Sequence, residues 1–490
     1  MKNLTLPSDF PITVEDVFEV ARNRTRIHLD KTHPVASFVK ECNRQYKKLR
    51  FEQTIYGDTT GFGAQVKNIV LPSQDKEKNR NLILNLRIGS GPPLKKEHVR
   101  AAMFVRTVML LRGCSGVRLE IPECITELIN SDKEPRTPTY GSIGDSGDLV
   151  QSSYYGFEVL KRIELEGREG LALVNGTQFM TGIASLALED FGYIFQFVCK
   201  LFAALIQCLE GTSDAFDGEL HSLKLHEGQN VMAEFFRNEF AGNKMTREIS
   251  KLEILPPEIL ATMAPLQDYY SIRCLAHALS PIYSSFHNAA RTIHDELNSV
   301  SDNPVIINGK VKHGGHFDGC EIAEAMERLK EAIRRLGYIA RAYKRRATDT
   351  KLNYGLLPSY LIANQNGLNN GLQGLSLSFD SLYAAFLKTS LSDTVFAQND
   401  CENDNQDIVS LGMHAALSAS TTISQLTTFA AMLAIITRQA VALRKIESKL
   451  SPATKVTYEK LADIIPFIAK DRSLHGDLRK LEKLFFNHAF

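Results

Sequence analysis

The chain has 490 residues, 57 Lys and Arg against 56 Asp and Glu, a formal charge of +1, and 44% hydrophobic residues. That composition supports a sizeable core, excludes a strongly acidic solvating role, and argues against nucleic acid as the main partner, because phosphate binding needs a basic excess. The 8 cysteines show no C-x-x-C spacing and read as reduced thiols of a cytosolic protein rather than as disulfide staples.

The opening MKNLTLPSDFPITVEDV lacks a continuous apolar segment, so no signal peptide is expected. After the glycine punctuation GFG at 61–63, VKNIVL at 66–71 reads as a short strand. GSGPP at 89–93 leads into EHVRAAMFVRTVMLL at 97–111, the first long helix. The segment GSIGDSGD at 141–148 is a loop. Residues 179–209 are apolar all round and predict a helix buried on most faces. Glu189, Asp190 and Lys200 interrupt it, and no run of about 18 uncharged apolar residues is read anywhere, so a membrane span is not expected. PVIING at 304–309 reads as a second short strand and HGG at 313–315 as a turn. Residues 321–348 alternate apolar positions with Glu, Lys and Arg at helical spacing, with KRR at 344–346 on a solvated face. Residues 411–450 form a fourth long helix. The expected architecture is mainly α: an N-terminal region over 1–200 and a central bundle of long antiparallel helices over 201–490. Loops gathered at one end of such a bundle can build a site.

The segment G-S-I-G-D-S-G-D-L at 141–149 carries the most distinctive chemistry. It is no phosphate-binding loop, since no G-K-[ST] follows, and no G-x-S-x-G elbow. It reads either as a flexible turn or as a strained x-Ser-Gly loop in which the Gly147 amide attacks the carbonyl of Asp145 and Ser146 dehydrates. Glycine at the third position permits that tight approach. Further along stand Y-G-D-T-T-G-F-G at 56–63, G-x-G-x-P-L at 89–94, V-N-G-T-Q at 174–178, F-D-x-x-x-H-x-L-x-x-H-x-G-Q at 216–229, Q-D-x-Y-S-I-R-C at 267–274, S-D-N-P at 301–304, G-G-H-F at 314–317 and E-N-D-N-Q-D at 402–407. His221 and His226 are five apart, which does not suit a zinc-binding helical pair, and they read as structural. Cys274 and Cys320 read as small buried hydrophobes.

In this order, over residues 50 to 445, the motifs resemble the aromatic amino-acid ammonia-lyase and aminomutase family. The resemblance implies an ammonia-lyase-like fold and a methylidene-imidazolone (MIO) ring condensed from Asp145, Ser146 and Gly147, with no metal or diffusible cofactor. It implies Tyr56 as the base for the β-proton, Tyr270 as a further residue of the catalytic set that positions substrate and ring, and Arg273 as a fork for the substrate carboxylate. Asn175, Gln267, Asn405 and Gln406 would position substrate and ring, Phe317 would pack on the ring, and Glu402 would sit near the amine. Asn85 and Leu86 align with the positions that read the substrate side chain, and the pair matches none of the histidine, tyrosine or phenylalanine enzymes. The implied activity is elimination of ammonia from a 2-amino acid to an unsaturated acid. The alternatives are an aminomutase making a β-amino acid, or a repurposed member that makes no ring. The implied assembly is a cytoplasmic homotetramer whose sites combine loops of three subunits, with neither nucleic acid nor membrane as partner.

The sequence departs from the family at several acidic positions. Asp145 replaces the usual Ala, Asp58 an aliphatic residue, and Asp318 and Asp404 stand where His is common. Gln151 replaces a Pro. The added carboxylates read either as lineage drift or as a cleft made anionic to receive a cationic substrate group.

Overall fold

The computed structural model describes residues 3–252, 254, 256, 266–397, 401–403 and 405–490. Asp404, singled out above, lies outside the described residues. The chain forms two compact units. One comprises Met1–Glu189, Asn288–Arg328 and Ser392–Ser420; the other comprises Asp190–His287, Leu329–Leu391 and Thr421–Phe490. The first unit thus contains most of the expected 1–200 region and, in addition, two later segments that carry Phe317, Glu402 and Gln406.

Within the first unit, helix Lys96–Leu111 lies at the centre, with every residue from His98 to Leu111 buried. A helix this apolar has to be enclosed, and Val14–Ala21 and Glu120–Asn130 pack against it. It also buries charge. Arg106 Nε donates to the Ala172 carbonyl at 2.8 Å and Nη1 to the Ser301 carbonyl at 2.7 Å. The buried Arg168 grips Asp302 through two bonds of 3.0 and 2.8 Å. A buried guanidinium is tolerated only with its donors satisfied, so these arginines fix the segments around Ala172 and Ser301. Helix Asp75–Leu86 carries Asp75 and Glu77 in its first turn, where carboxylates complement the helix dipole.

The strand expected at 66–71 does not form. Gly63–Gln65 is a short 3-10 turn and only Ile69 pairs, in an isolated bridge to Thr60. Ile69 is 80% exposed, so the apolar residues there bury too little to hold a strand. The strand expected at 304–309 is present as Val305–Ile307, paired antiparallel with Lys310–Lys312. Asn308 and Gly309 join them at φ of +51° and +68°, the Asn-Gly turn whose twist suits a hairpin.

In the second unit, helix Pro452–Ile464 packs against Glu227–Phe240 and His475–Phe486. Phe379 and Phe429 of this unit stack with ring centroids 4.5 Å apart. Ser451 caps Pro452–Ile464 by accepting from Thr454 N at 3.1 Å. The buried His221 is hydrogen-bonded through both ring nitrogens, to the Ala215 carbonyl and to Gln229, each at 2.9 Å.

The long helices are Gln178–Cys208, Leu275–Leu297, Cys320–Thr348 and Gly412–Arg444. The last stops short of the expected 450 because Lys445 turns to φ +52°. Contrary to the sequence expectation, two helical stretches among the described residues, Glu169–Cys208 and Gly412–Arg444, are long and apolar enough to cross a bilayer. In each, 78% of the most apolar window is buried inside the fold, so this apolarity serves packing.

Candidate active site

A cavity of about 1050 Å³ opens in the first unit. Its walls come from the 56–65 loop, helix Asp75–Leu86, the 141–150 segment, Leu171 and Asn175, the 303–317 segment and residues 402–406. Of the sequence candidates, Tyr56, Asn85, Leu86, Ser146, Gly147, Asn175, Phe317, Glu402, Asn405 and Gln406 line it together. Tyr56 Oη accepts from the Gly63 amide at 3.0 Å, and its own amide donates to His313 Nε2 at 3.3 Å. Nε2 is therefore the unprotonated ring nitrogen. Burial, and then the charge of Arg168, hold the His313 imidazole below the usual histidine value, in keeping with that neutral form.

Ser146 is held at both of its oxygens. Its carbonyl accepts from Asn175 Nδ2 at 2.9 Å and its hydroxyl accepts from Gln406 Nε2. Asn175 Oδ1 in turn accepts from the Asn303 amide at 2.9 Å, and Asn303 Oδ1 accepts from the Gly314 amide at 2.8 Å. One chain of amides thus joins the hairpin segment to Ser146. Gly147 lies at φ +73°, and a Cβ built there would stand 2.3 Å from the Gly176 backbone nitrogen. No other residue fits. Asp148 anchors the far side of the loop. It accepts from Ser142 Oγ at 2.9 Å and from the Phe179 and Met180 amides at 2.8 and 3.0 Å, at the start of helix Gln178–Cys208. Complete burial still pushes its carboxyl up to about 6.

Among the described residues, none of the acidic replacements lines the cavity. Asp145 points away from the cavity wall. Oδ1 accepts from the Ser410 amide at 2.7 Å, while Oδ2 is buried without a partner. Burial first, then the nearby Asp318, push this carboxyl up to about 6, against the pull of the Ser410 bond. Asp58 is wholly buried and paired with Arg50 at 2.9 Å and Lys78 at 3.4 Å. Arg50 and Lys78 also meet Asp75, at 2.7 and 3.7 Å, which closes a quartet of two cations and two carboxylates. Asp318 is exposed and accepts from the Cys320 amide at 2.7 Å. Of the two readings of these carboxylates, the anionic cleft gains nothing from Asp58, Asp145 or Asp318, which are absent from the cavity lining. Gln151 is buried and donates to the Thr139 carbonyl at 2.9 Å.

Gln267, Tyr270 and Arg273 belong to the second unit and do not line this cavity. Arg273 donates to Gln267 Oε1 and lies over the Tyr270 ring, 4.7 Å from its centroid. Asp268 is taken instead by Arg247 at 3.1 Å and by the Thr212 amide at 2.6 Å. Tyr270 is 69% exposed.

Several lining residues were not singled out by sequence. Asn303 and His313 fall inside quoted motifs, yet nothing in those motifs says which atoms meet. Asn81, Leu82 and Lys78 lie at helical spacing from Asn85 and Leu86, and that period was the available signal.

The aromatic amino acid lyase family profile matches residues 12–160 and 156–463. The chain is 30% identical over 502 residues to an MIO-dependent tyrosine 2,3-aminomutase of Streptomyces globisporus, covering 95% of this chain and 92% of that protein. It is 30% identical over 507 residues to a histidine ammonia-lyase of Streptococcus sanguinis, covering 98% and 95%. Among solved structures, the phenylalanine aminomutase of Pantoea agglomerans superposes with a TM-score of 0.92 at 26% identity, covering 99% of each chain.

Proposed function

This chain belongs to the aromatic amino acid lyase family of ammonia-lyases and aminomutases, and we propose that it acts on a 2-amino acid through a ring condensed from Asp145, Ser146 and Gly147. The observation that carries this reading is the state of the triad. Gly147 is pressed against the Gly176 backbone while Asn175 and Gln406 hold the two oxygens of Ser146. These residues fit the ring. Only the backbone of position 145 takes part, and its side chain is turned to Ser410. In the condensation, Gly147 N bonds to the Asp145 carbonyl carbon and that oxygen leaves as water. Ser146 then loses its hydroxyl as a second water.

The condensed triad would supply an electrophilic carbon able to capture the substrate amine. Tyr56 Oη stands in the same cavity and takes the β-proton as general base. Asn175 and Gln406 hold Ser146 in place, and Glu402 faces the cavity on the side of Gly63, where it meets the amine. Arg273 binds the substrate carboxylate in a bidentate pair, and Gln267 and Tyr270 accompany it. These three lie in the second unit, and likeness to the family supports a homotetramer in which a neighbouring copy supplies them. All 8 cysteines are free, in keeping with a reducing, cytoplasmic setting. Elimination and the 2,3-shift use the same groups, and the similar aminomutases support the second outcome as well as the first.

Mass spectrometry of a digest tests the reading. The peptide holding residues 141–149 should weigh less than its sequence by two water molecules. The Ser146→Ala variant should form neither an unsaturated acid nor a β-amino acid from any amino acid that the wild type consumes. An unmodified peptide from active enzyme would overturn the proposal.

A further inference from the structure

Resting on the proposed role of Arg273 as the carboxylate fork, we infer that Tyr343 and Arg346 are positioning residues for it. From one face of helix Cys320–Thr348 they fix the short helix Tyr270–Arg273, and so the direction from which Tyr270 and Arg273 meet a substrate.

Tyr270–Arg273 is a single helical turn. Its own bonds are few: the Ile272 and Arg273 amides donate to the Tyr269 carbonyl at 2.9 and 3.0 Å, and the Cys274 amide to the Tyr270 carbonyl at 2.9 Å. One turn fixes more dihedral angles than such bonds repay, so the conformation has to be imposed from outside. Asp268, held by Arg247 and the Thr212 amide, ties the chain just ahead of the turn. Ile272 is fully buried. The other two ties come from helix Cys320–Thr348. Tyr343 Oη donates to the Ser271 carbonyl at 2.8 Å. The Arg346 guanidinium lies 4.2 Å from the centroid of the Tyr269 ring. Tyr343 and Arg346 stand at i and i+3, on one helical face. What these ties leave outward is Tyr270, 69% exposed, and Arg273, also at i and i+3, with the Arg273 guanidinium over the Tyr270 ring.

Both anchors are firm. Tyr343 is wholly buried and its ring stacks on Phe202, with centroids 4.4 Å apart and planes at 17°. Burial holds its phenol well above the usual tyrosine value, so the proton given to Ser271 stays in place. Tyr269 also stacks on Tyr354, 5.8 Å between centroids. Arg346 is 4% exposed, and its Nε and Nη1 have no hydrogen-bond partner among the described residues. Burying a guanidinium with two donors unmet costs stability, and a methionine would fill the space without that cost. What the guanidinium adds is a cation on the face of Tyr269, the residue whose carbonyl caps the turn.

Hydrogen exchange and steady-state kinetics on the intact enzyme test the inference. In Tyr343→Phe and in Arg346→Met, the amides of Ile272, Arg273 and Cys274 should exchange about tenfold faster, while the amides of helix Cys320–Thr348 keep their wild-type protection. Of L-tyrosine, L-phenylalanine and L-histidine, the one consumed fastest should show KM raised about tenfold in both variants, with kcat within about threefold. Calorimetry should show the same loss of affinity for that amino acid and none for its carboxamide, which lacks the carboxylate. Arg346→Lys, which keeps the cation, should bring KM back to within about threefold of wild type. Unchanged exchange at 272–274 in both variants, or protection lost along the whole of helix Cys320–Thr348, would overturn the inference. So would equal weakening of acid and carboxamide. Faster exchange at 272–274 with no change in affinity for any of the three amino acids would uphold the ties and put the carboxylate role of Arg273 at fault.

Discussion

Replacing Asp145 by Ala should invert its effect on stability between acid and mildly alkaline pH. Burial raises the folded carboxyl to about 6 from an unfolded value of 3.8, so the folded protein holds this proton more tightly than the unfolded chain. The stability that the bound proton confers is complete below the unfolded value and is lost as pH rises through 6. A shift of that size corresponds to at most about 3 kcal/mol at 1.36 kcal/mol per unit, and to about 1.5–3 kcal/mol once water near the loop screens part of it. Asp145→Ala removes this penalty but leaves the Ser410 amide without its acceptor, at a cost of about 1 kcal/mol. The variant should therefore be less stable than the wild type by about 1 kcal/mol at pH 4 and more stable by about 0.5–2 kcal/mol at pH 8. Asp148 has the same raised value in both proteins and cancels in the difference. Urea unfolding of the two proteins across this range reads the effect. A stability difference that stays constant from pH 4 to pH 8 would refute the reasoning.

Gly147→Ala should abolish ring formation, since its methyl group would sit 2.3 Å from the Gly176 nitrogen; the 141–149 peptide should then keep both water molecules, and turnover should drop to that of Ser146→Ala. Asp58→Ala leaves Arg50 and Lys78 sharing Asp75 alone and should destabilise the protein by about 3–5 kcal/mol. Thermal unfolding should report that loss, and adding Lys78→Met should recover part of it.

The mainly α fold was legible because three of the four long helices, Gln178–Cys208, Cys320–Thr348 and Gly412–Arg444, stand out as long apolar or 3.6-periodic stretches, whereas Leu275–Leu297, with Pro281 and several His and Ser residues inside it, was not read as a helix. Their limits were less so. Lys445 ends a helix by backbone conformation alone, with no glycine or proline to signal it. The strand misread at 66–71 shows the same difficulty from the other side. Its residues have strand-like propensity, but Ile69 and Leu71 face solvent, and propensity counts for little when nothing is buried. At the site, the motif residues around Tyr56, Ser146, Asn175 and Gln406 were readable because each sits in a stretch with its own chemical signature. The acidic replacements were visible as letters and opaque as structure. Whether Asp58 faces the cavity or a buried Arg–Lys pair depends on Arg50 and Lys78, neither of which any motif marks. Nor does sequence spacing say that Arg273 lies in a different unit from the cavity it was expected to complete.

The guanidinium of Arg106 bridges carbonyls 129 positions apart in the chain, at Ala172 and Ser301, and Arg168 relies on Asp302. During synthesis these two cations are made long before their later acceptors. A nascent chain that ends before Ser301 has the ring-forming residues but not the ties that seat Asn175 against Ser146. The segments around Ala172 and Ser301 therefore reach their final packing only once both late acceptors have been made.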